Sequence, residues 1–310
     1  MQFRGITQFA AVFALAGICP LTAAAQTAEP AITFKSGVDL VSVSAVVRDK
    51  KGKVVRSLSP KDFVVVEGGQ TRKIVSLQAD EAAPASVAFL VDGSGSMRLG
   101  TSLDSSRHIC NWLLSTLDQK KDDAALLSFD TRLLTLREFT GSFEHVRSGL
   151  NELETFGATS IYDAIAGASA LVADRARNRR AVIVLTDGDD NASAYSAEEV
   201  AWIASTIDVP VYVFAVGDTG TKAEAGAANP RGQTSPLAEL ARATGGDFFV
   251  ASSPALAVAG ITRLVDELRH QYLIAFEPST TTGLRQIEIR ARKPDLKVSS
   301  RRWYTGGASD

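Results

Sequence analysis

Val87-Ala88-Phe89-Leu90-Val91 runs straight into Asp92-Gly93-Ser94-Gly95-Ser96. Five consecutive apolar residues read as a strand buried on both faces, and this one ends in a carboxylate, two hydroxyls and two glycines. An open α/β sheet takes its ligand at the carboxyl ends of its strands, so the stretch predicts both a sheet and the edge at which function sits. Two further oxygen-bearing turns follow at suitable places. Gly157-Ala158-Thr159 precedes a helical pattern, and Thr186-Asp187-Gly188 follows the apolar strand Ala181-Val182-Ile183-Val184-Leu185.

Outward from this run, apolar strands and helical patterns alternate from Ser86 to about His270, which implies a doubly wound α/β domain. Strands are predicted at 86–92, 124–129, 132–139, 180–186, 210–216 and 247–251. One helix carries Leu103, Cys110, Leu113, Leu114 and Leu117; another carries Ile161, Ile165, Ala168 and Val172. The last carries Ile261, Leu264, Val265 and Leu268, a spacing that buries one stripe. The gap between 124–129 and 132–139 is too short for a parallel crossover, so that pair must be an antiparallel hairpin at one edge. The predicted fold is therefore a mostly parallel six-stranded sheet with one antiparallel edge strand.

Both flanks change period. From Asp39 to Leu77 short alternating segments are separated by Asp49-Lys50-Lys51-Gly52-Lys53 and Gly68-Gly69, and Glu81-Ala82-Ala83-Pro84 reads as a linker. After His270, Tyr272-Leu273-Ile274-Ala275-Phe276, Gln286-Ile287-Glu288-Ile289-Arg290 and Val298 to Tyr304 are again strand-like. Neither flank alone encloses a good core. The expected arrangement is one small β-sandwich built from both, with the α/β domain inserted between them; two independent β extensions are the alternative. The expected boundaries are 39–80 for the N-terminal β segment, 85–270 for the α/β domain, 271–305 for the C-terminal β segment and 306–310 for a flexible tail.

Arg4, the apolar stretch from about Phe9 to Ala24, and Ala23-Ala24-Ala25-Gln26 have the order of a secretory signal peptide spanning 1–25, followed by a flexible N-terminus at 26–38. The stretch is short and small-sided for a membrane span. Ile18 stands before Cys19 where a lipoprotein signal wants a small residue. Cleavage leaves Cys110 alone, so no intramolecular disulfide staples the mature chain. The expected location is periplasmic or secreted, without stable membrane insertion and with no signal of a particular oligomeric state.

The three turns offer Asp92, Ser94, Ser96, Thr159 and Asp187, a set of oxygen donors without nitrogen or sulfur. Such a set suits Mg²⁺, with Mn²⁺ or Ca²⁺ as alternatives, whereas Zn²⁺ and copper prefer His or Cys. Only two donors are acidic, so a bound ion would stay electrophilic toward an outside carboxylate. Asp189-Asp190-Asn191 make the third turn more acidic than one ion needs, and read either as a second cation site or as a solvated loop starting a helix. A nucleophilic Ser94 lacks the Gly-x-Ser-x-Gly elbow, and no histidine has an evident place as its base. A phosphoryl-accepting Asp92 would want a second acid where Ser94 stands. The third glycine and strand-end acid of a dinucleotide fingerprint are missing.

Basic residues cluster at Arg175, Arg177, Arg179 and Arg180, and along the C-terminal strands, where Arg301 and Arg302 precede Trp303 and Tyr304. A nucleic-acid platform interleaves aromatics with charge, and a formal net charge of -2 argues against general affinity for polyanions. These runs are expected to be solvated faces, and no nucleic-acid partner is expected. The polar segment from Gly217 to Pro236 is expected to be a mobile loop, with contact to a partner as one possible role.

Asp92-x-Ser94-x-Ser96, Thr159 and Asp187 resemble the metal-ion-dependent adhesion site of von Willebrand factor type A domains over roughly residues 85–270. The resemblance implies a Rossmann-like fold with Ser94 and Ser96 as constant ligands, Thr159 as a ligand gained on engagement, and Asp92 and Asp187 as charged supports. The flanks, through Asp62-Phe63-Val64-Val65-Val66-Glu67, Gln70, Ile74 and Tyr272-Leu273-Ile274-Ala275-Phe276, resemble exported bacterial relatives of acidobacterial type. The implied function is a non-enzymatic, exported protein-binding module for adhesion or assembly, whose divalent cation captures an Asp or Glu of a protein partner. A structural cell-envelope protein whose A domain acts without metal-dependent recognition is the alternative, and a hydrolase comes third.

Overall fold

The computed structural model describes residues 40–175, 179–188, 190–217 and 235–307. The leader, the segment at 26–38, Asp189, most of the Gly217 to Pro236 segment and the last three residues lie outside the described residues.

The chain enters through β1 (Val41–Arg48), β2 (Phe63–Glu67), β3 (Gln70–Arg72) and β4 (Ile74–Ala79). It then builds the α/β layers from β5 (Ala85–Asp92), α1 (Ser102–Thr116), β6 (Asp123–Phe129), β7 (Leu133–Thr140), α2 (Phe143–Leu150) and α3 (Ile161–Ala173). These layers continue with β8 (Arg179–Thr186), α4 (Ala197–Thr206), β9 (Val211–Val216), α5 (Pro236–Ala243), β10 (Phe248–Ala251) and α6 (Pro254–Arg269). It closes with β11 (Tyr272–Phe276), β12 (Gly283–Ala291), β13 (Lys297–Ser300) and β14 (Trp303–Gly306).

The central sheet has the order β10-β9-β8-β5-β6-β7. All neighbours are parallel except β6 and β7, as the short 129-to-133 connection requires. Every residue of β5 is buried, because its two faces serve two cores. Val87, Phe89 and Val91 pack with side chains of α1, α2 and α6, whereas Ala88 and Leu90 pack with those of α3, α4 and α5. The period of two along one strand thus becomes two hydrophobic layers. Fully burying a side chain such as Phe89 contributes roughly 1.5–3 kcal/mol.

The flanks share two antiparallel sheets, β13-β1-β11-β4 and β14-β12-β2-β3, and each contains strands from both ends of the chain. Between them lies one core of Val43, Val47, Phe63, Val65, Ile274, Phe276, Ile289 and Tyr304 with their neighbours. β4 pairs antiparallel with β11, placing Ala79 opposite Tyr272. The residue that leads into the α/β domain therefore sits beside the residue that leaves it, so the intervening domain is an insertion in a sandwich.

Two expectations need correction. Val298 to Tyr304 is not one strand: it breaks at Arg301-Arg302, with β13 joining β1 and β14 joining β12 in the other sheet. The break follows from Arg301, which is buried and donates to the carbonyls of Ser205 (2.8 Å), Thr206 (3.1 Å) and Ser42 (2.7 Å), while Arg302 N donates to Ala243 O. Nor are all the basic runs solvated. Arg179 is buried at the start of β8 and donates to the carbonyls of Asp80, Glu81 and Ala83, which fastens the linker that precedes β5. Arg180 donates to the carbonyls of Ala173 at the end of α3 and Ile207 after α4.

Candidate functional site at the strand ends

Asp92 is the last residue of β5 and is fully buried. Its Oδ2 accepts from the Thr186 hydroxyl at 2.6 Å, and its Oδ1 accepts from the Ser94 amide at 2.7 Å. The Asp92–Ser94 bond curls the chain after the strand. The loop continues as a short 3-10 turn at Gly95–Arg98 that buries Met97. Gly93 is required by space, because a Cβ there would meet Ser128 Oγ at 2.9 Å and the Glu154 carbonyl at 3.1 Å.

The structure brings four of the five expected residues into one chain of hydrogen bonds. Ser94 Oγ and Ser96 Oγ lie 3.0 Å apart, Ser96 Oγ donates to Asp187 Oδ1 at 2.7 Å, and Asp92 joins through the Ser94 backbone. Thr159 is buried on the adjoining loop, whose position is set by Gly95 N donating to Gly157 O at 3.2 Å. The Thr159 amide donates to Asn191 Oδ1 at 2.9 Å, and its carbonyl accepts from the amides of Asn191 and Ala192.

These side chains satisfy one another, and that overturns the expectation of a metal centre. Among the described residues, no three His, Cys, Asp or Glu side chains gather where they could hold an ion. The cluster supplies two carboxylates, each already accepting internal hydrogen bonds. Burial raises the Asp92 carboxyl above the usual carboxylate range, with the Thr186 hydroxyl and Ser94 opposing and the nearby Asp187 adding to the rise. A carboxyl buried at 0% exposure, with both oxygens already accepting from Thr186 and Ser94, offers little open ligand surface to a hard cation. The Mg²⁺ site, its Mn²⁺ and Ca²⁺ alternatives, and the cation-mediated capture of a partner carboxylate are accordingly withdrawn.

The acidic loop after Asp187 also has an internal task. Asp190 Oδ1 accepts from the amide of Ile161, the first residue of α3, at 2.8 Å and from Ser193 Oγ at 2.5 Å. Ser193 Oγ accepts from the amides of Tyr162 and Asp163, and Asp163 in turn accepts from the amides of Ala194 and Tyr195. These bonds occupy the first amides of α3 and place carboxylates at the positive end of its dipole. Asp190 therefore caps a helix; its neighbour Asp189 lies outside the described residues.

Sequence reasoning missed the partners that close the network, chiefly Thr186, although Thr186-Asp187 was visible as a turn. It also missed the apolar side chains beside it. Leu99 is 73% exposed and Phe156 is 60% exposed. Their loops are cross-tied, with Phe156 N donating to Gly93 O at 2.7 Å and Gly95 N to Gly157 O at 3.2 Å, while Leu99 N donates to Ser96 O within its own turn. The Arg98 guanidinium lies 5.9 Å from the centre of the Phe156 ring.

Residues 87–189 match the model of the von Willebrand factor type A domain. No curated protein matches the chain. Among solved structures, a von Willebrand factor type A protein from Catenulispora acidiphila is 12% identical, with 87% of this chain and 74% of that one covered at a TM-score of 0.50. The conserved hypothetical protein BatB from Bacteroides thetaiotaomicron is 20% identical, with coverage of 59% and 98% and a TM-score of 0.47. The PilB minor pilin from Streptococcus sanguinis is 15% identical, with coverage of 60% and 62% and a TM-score of 0.45, so the chain spans less than two thirds of that pilin. At these identities the likeness is one of fold. The family match covers neither flank, and the chain carries a von Willebrand factor type A-like domain set into a β-sandwich that its two flanks build together.

Proposed function

We propose that this chain is a protein-interaction module of the cell envelope whose A-type domain binds its partner through the strand-end face without an ion, in a structural rather than enzymatic role. The observation that carries this reading is the exposure of Leu99 and Phe156 on two loops tied together by backbone hydrogen bonds. Large apolar side chains held in one place at a rim of polar groups are the composition of a protein contact rather than of a solvated loop. In this reading Asp92, Ser94, Ser96, Thr159 and Asp187 are the scaffold that fixes the two loops. Export rests on the leader-like order of Arg4, the apolar stretch and Ala23-Ala24-Ala25.

A non-catalytic role is supported by the placement of the groups a hydrolase would use, since among the described residues no hydrogen bond joins Ser94 to a histidine. Ser94 Oγ shares its hydrogen bond with Ser96 Oγ. His108 Nδ1 and His270 Nδ1 each lie 2.7 Å from a carbonyl of their own helix, those of Asp104 and Asp266. The test is a crosslinking pull-down from envelope extract with the wild type and a Leu99→Asp/Phe156→Asp double variant, each with and without EDTA. The expected result is a set of partners unchanged by EDTA and lost in the double variant, with the melting temperature of the variant within a few degrees of wild type. Capture that EDTA abolishes, or that survives the double substitution, would overturn the reading.

A further inference from the structure

Where the ends of β2 and β3 meet the β11–β12 connection, a pocket of about 460 Å³ is lined by Glu67, Gln70, Arg72, Ser279, Thr281 and Arg285 with their neighbours. Its floor is Glu67, the last residue of β2, which is wholly buried. Arg285 Nε lies 2.7 Å from Glu67 Oε1, Arg72 Nε contacts Oε2, the Tyr304 hydroxyl donates to Oε1, and the Ser279 amide donates to Oε2 at 3.2 Å. The Tyr304 hydroxyl and the Ser279 amide hydrogen-bond the carboxylate, and the two guanidinium groups ion-pair with it without either Nε–H forming a hydrogen bond.

Burial would raise the Glu67 carboxyl, but the Tyr304 hydroxyl, the Ser279 amide and then Arg285 and Arg72 outweigh it and hold it below the usual range. Burial and the same hydrogen bond push Tyr304 up, so its hydroxyl stays protonated. Two guanidinium charges therefore face one carboxylate charge, and the pocket keeps a net positive charge at neutral pH. Both Nε–H groups lie buried beside Glu67 in ion pairs that form no hydrogen bond. Of the rest, Arg285 Nη1 donates to Thr281 O at 3.0 Å, while no acceptor meets the Arg72 Nη groups among the described residues. Ser279 Oγ is buried at the same wall with no hydrogen-bond partner.

We propose that this pocket binds a compact oxyanion, the carboxylate or phosphate group of a ligand, on the outer edges of Arg72 and Arg285 with the Ser279 hydroxyl as a further donor. A guanidinium kept beside one carboxylate by an ion pair retains free N–H donors, and an N–H pair of its planar fork matches the spacing of two oxygens on a second anion. The excess charge, the unused guanidinium edge and the unpartnered hydroxyl converge on one polar pocket, and one bound oxyanion would answer all three. The pocket shares no residue with the strand-end face, so a test of one is not a test of the other.

The test follows the arginine Nε–H resonances of the purified protein during titration with inorganic phosphate and, separately, with acetate, against sodium chloride at matched ionic strength. Saturable shifts of the Arg72 and Arg285 signals with phosphate alone identify a phosphate-type ligand, and with acetate a carboxylate. Arg72→Gln is expected to raise the dissociation constant at least tenfold while Glu67 keeps Arg285 and Tyr304 as partners. Ser279→Ala, which leaves all three charges in place, is expected to raise it about threefold and keeps the test readable if Arg72→Gln loses its fold. No saturable shift with either anion, or wild-type affinity in both variants, would reduce the cluster to a buried structural ion network and overturn the proposal.

Discussion

Asp92 shows how burial reverses what a residue type suggests. As letters, Asp92-x-Ser94-x-Ser96 reads as a ligand set; in the fold, the carboxylate is shut behind its own hydrogen bonds to Thr186 and Ser94. Its raised pKa means that the folded state holds the proton more tightly than the unfolded state does. Stability therefore falls as pH rises from the unfolded value through the folded one, and stays lower above it. Asp92→Asn removes that loss and keeps an acceptor for the Ser94 amide. Its melting temperature is expected to equal or exceed that of wild type at pH 7, with the difference shrinking as pH falls toward 4. Asp92→Ala leaves both partners unsatisfied and is expected to cost roughly 2–4 kcal/mol in urea unfolding. A wild type more stable than Asp92→Asn at pH 7, with the gap closing in acid, would reverse the sign and refute the account. The positions of the oxygen groups were legible in the sequence, because a buried strand followed by Gly and Ser must turn. Their mutual satisfaction was not, since Ser96 and Asp187 meet across 91 residues of chain.

At the scale of elements, strands were easier to read than helices. The six strands of the central sheet begin and end within one residue of the positions expected from apolar runs bounded by turns. The inner strands β5, β6, β8 and β9 are buried on both faces and so read as apolar runs, whereas the edge strand β7 has no buried residue and was placed by its short connection to β6. α2 and α4 went unread because both are short, eight and ten residues, and because Gly149 and Ser205 lend their buried stripes little apolar signal. For α4 a signal was present: Ser196 and Glu199 form a capping box in which Ser196 Oγ accepts from the Glu199 amide and Glu199 Oε2 accepts from the Ser196 amide. The turn between α5 and β10 also depends on a residue whose role pattern could not reveal. Gly246 packs so tightly against β9 that a Cβ would overlap the carbonyl of Val211. Backbone cannot step aside as the end of a side chain can. Gly246→Ala is expected to destabilise the protein by roughly 3 kcal/mol, seen as a fall in melting temperature with an unchanged far-ultraviolet spectrum of what remains folded. A melting temperature within a degree of wild type would refute the close approach.

For the whole molecule, the question is how an inserted α/β domain and its host sandwich hold together. Arg301 supplies one tie, with its guanidinium bonded to carbonyls at the end of α4 and in β1 and 3.3 Å from Asp208. The Trp202 and Trp303 rings meet edge to face beside it, with centroids 6.4 Å apart, and Arg48 of β1 reaches Glu267 of α6 at 2.8 Å. Arg301→Ala strands three carbonyls and a carboxylate, at an expected cost of about 3–5 kcal/mol. Calorimetry should then show the single transition of the wild type split into two, because the sandwich and the α/β layers lose a shared anchor; one transition at the wild-type temperature would refute the coupling. Among the described residues, no helix is long and apolar enough to cross a membrane. By itself the sequence determined the local and periodic features: a buried parallel sheet, an antiparallel edge strand forced by a short connection, and two flanks too small to stand alone. These follow from hydrophobic period and connection length, which act between residues close in the chain. Only the tertiary structure decided that the flank strands interleave in two shared sheets, that Arg179 and Arg301 are internal clamps, and that the strand-end oxygens bond to one another. Each of those outcomes depends on which distant groups arrive at the same place and satisfy a buried charge or hydroxyl, and that information is distributed over the whole packed chain.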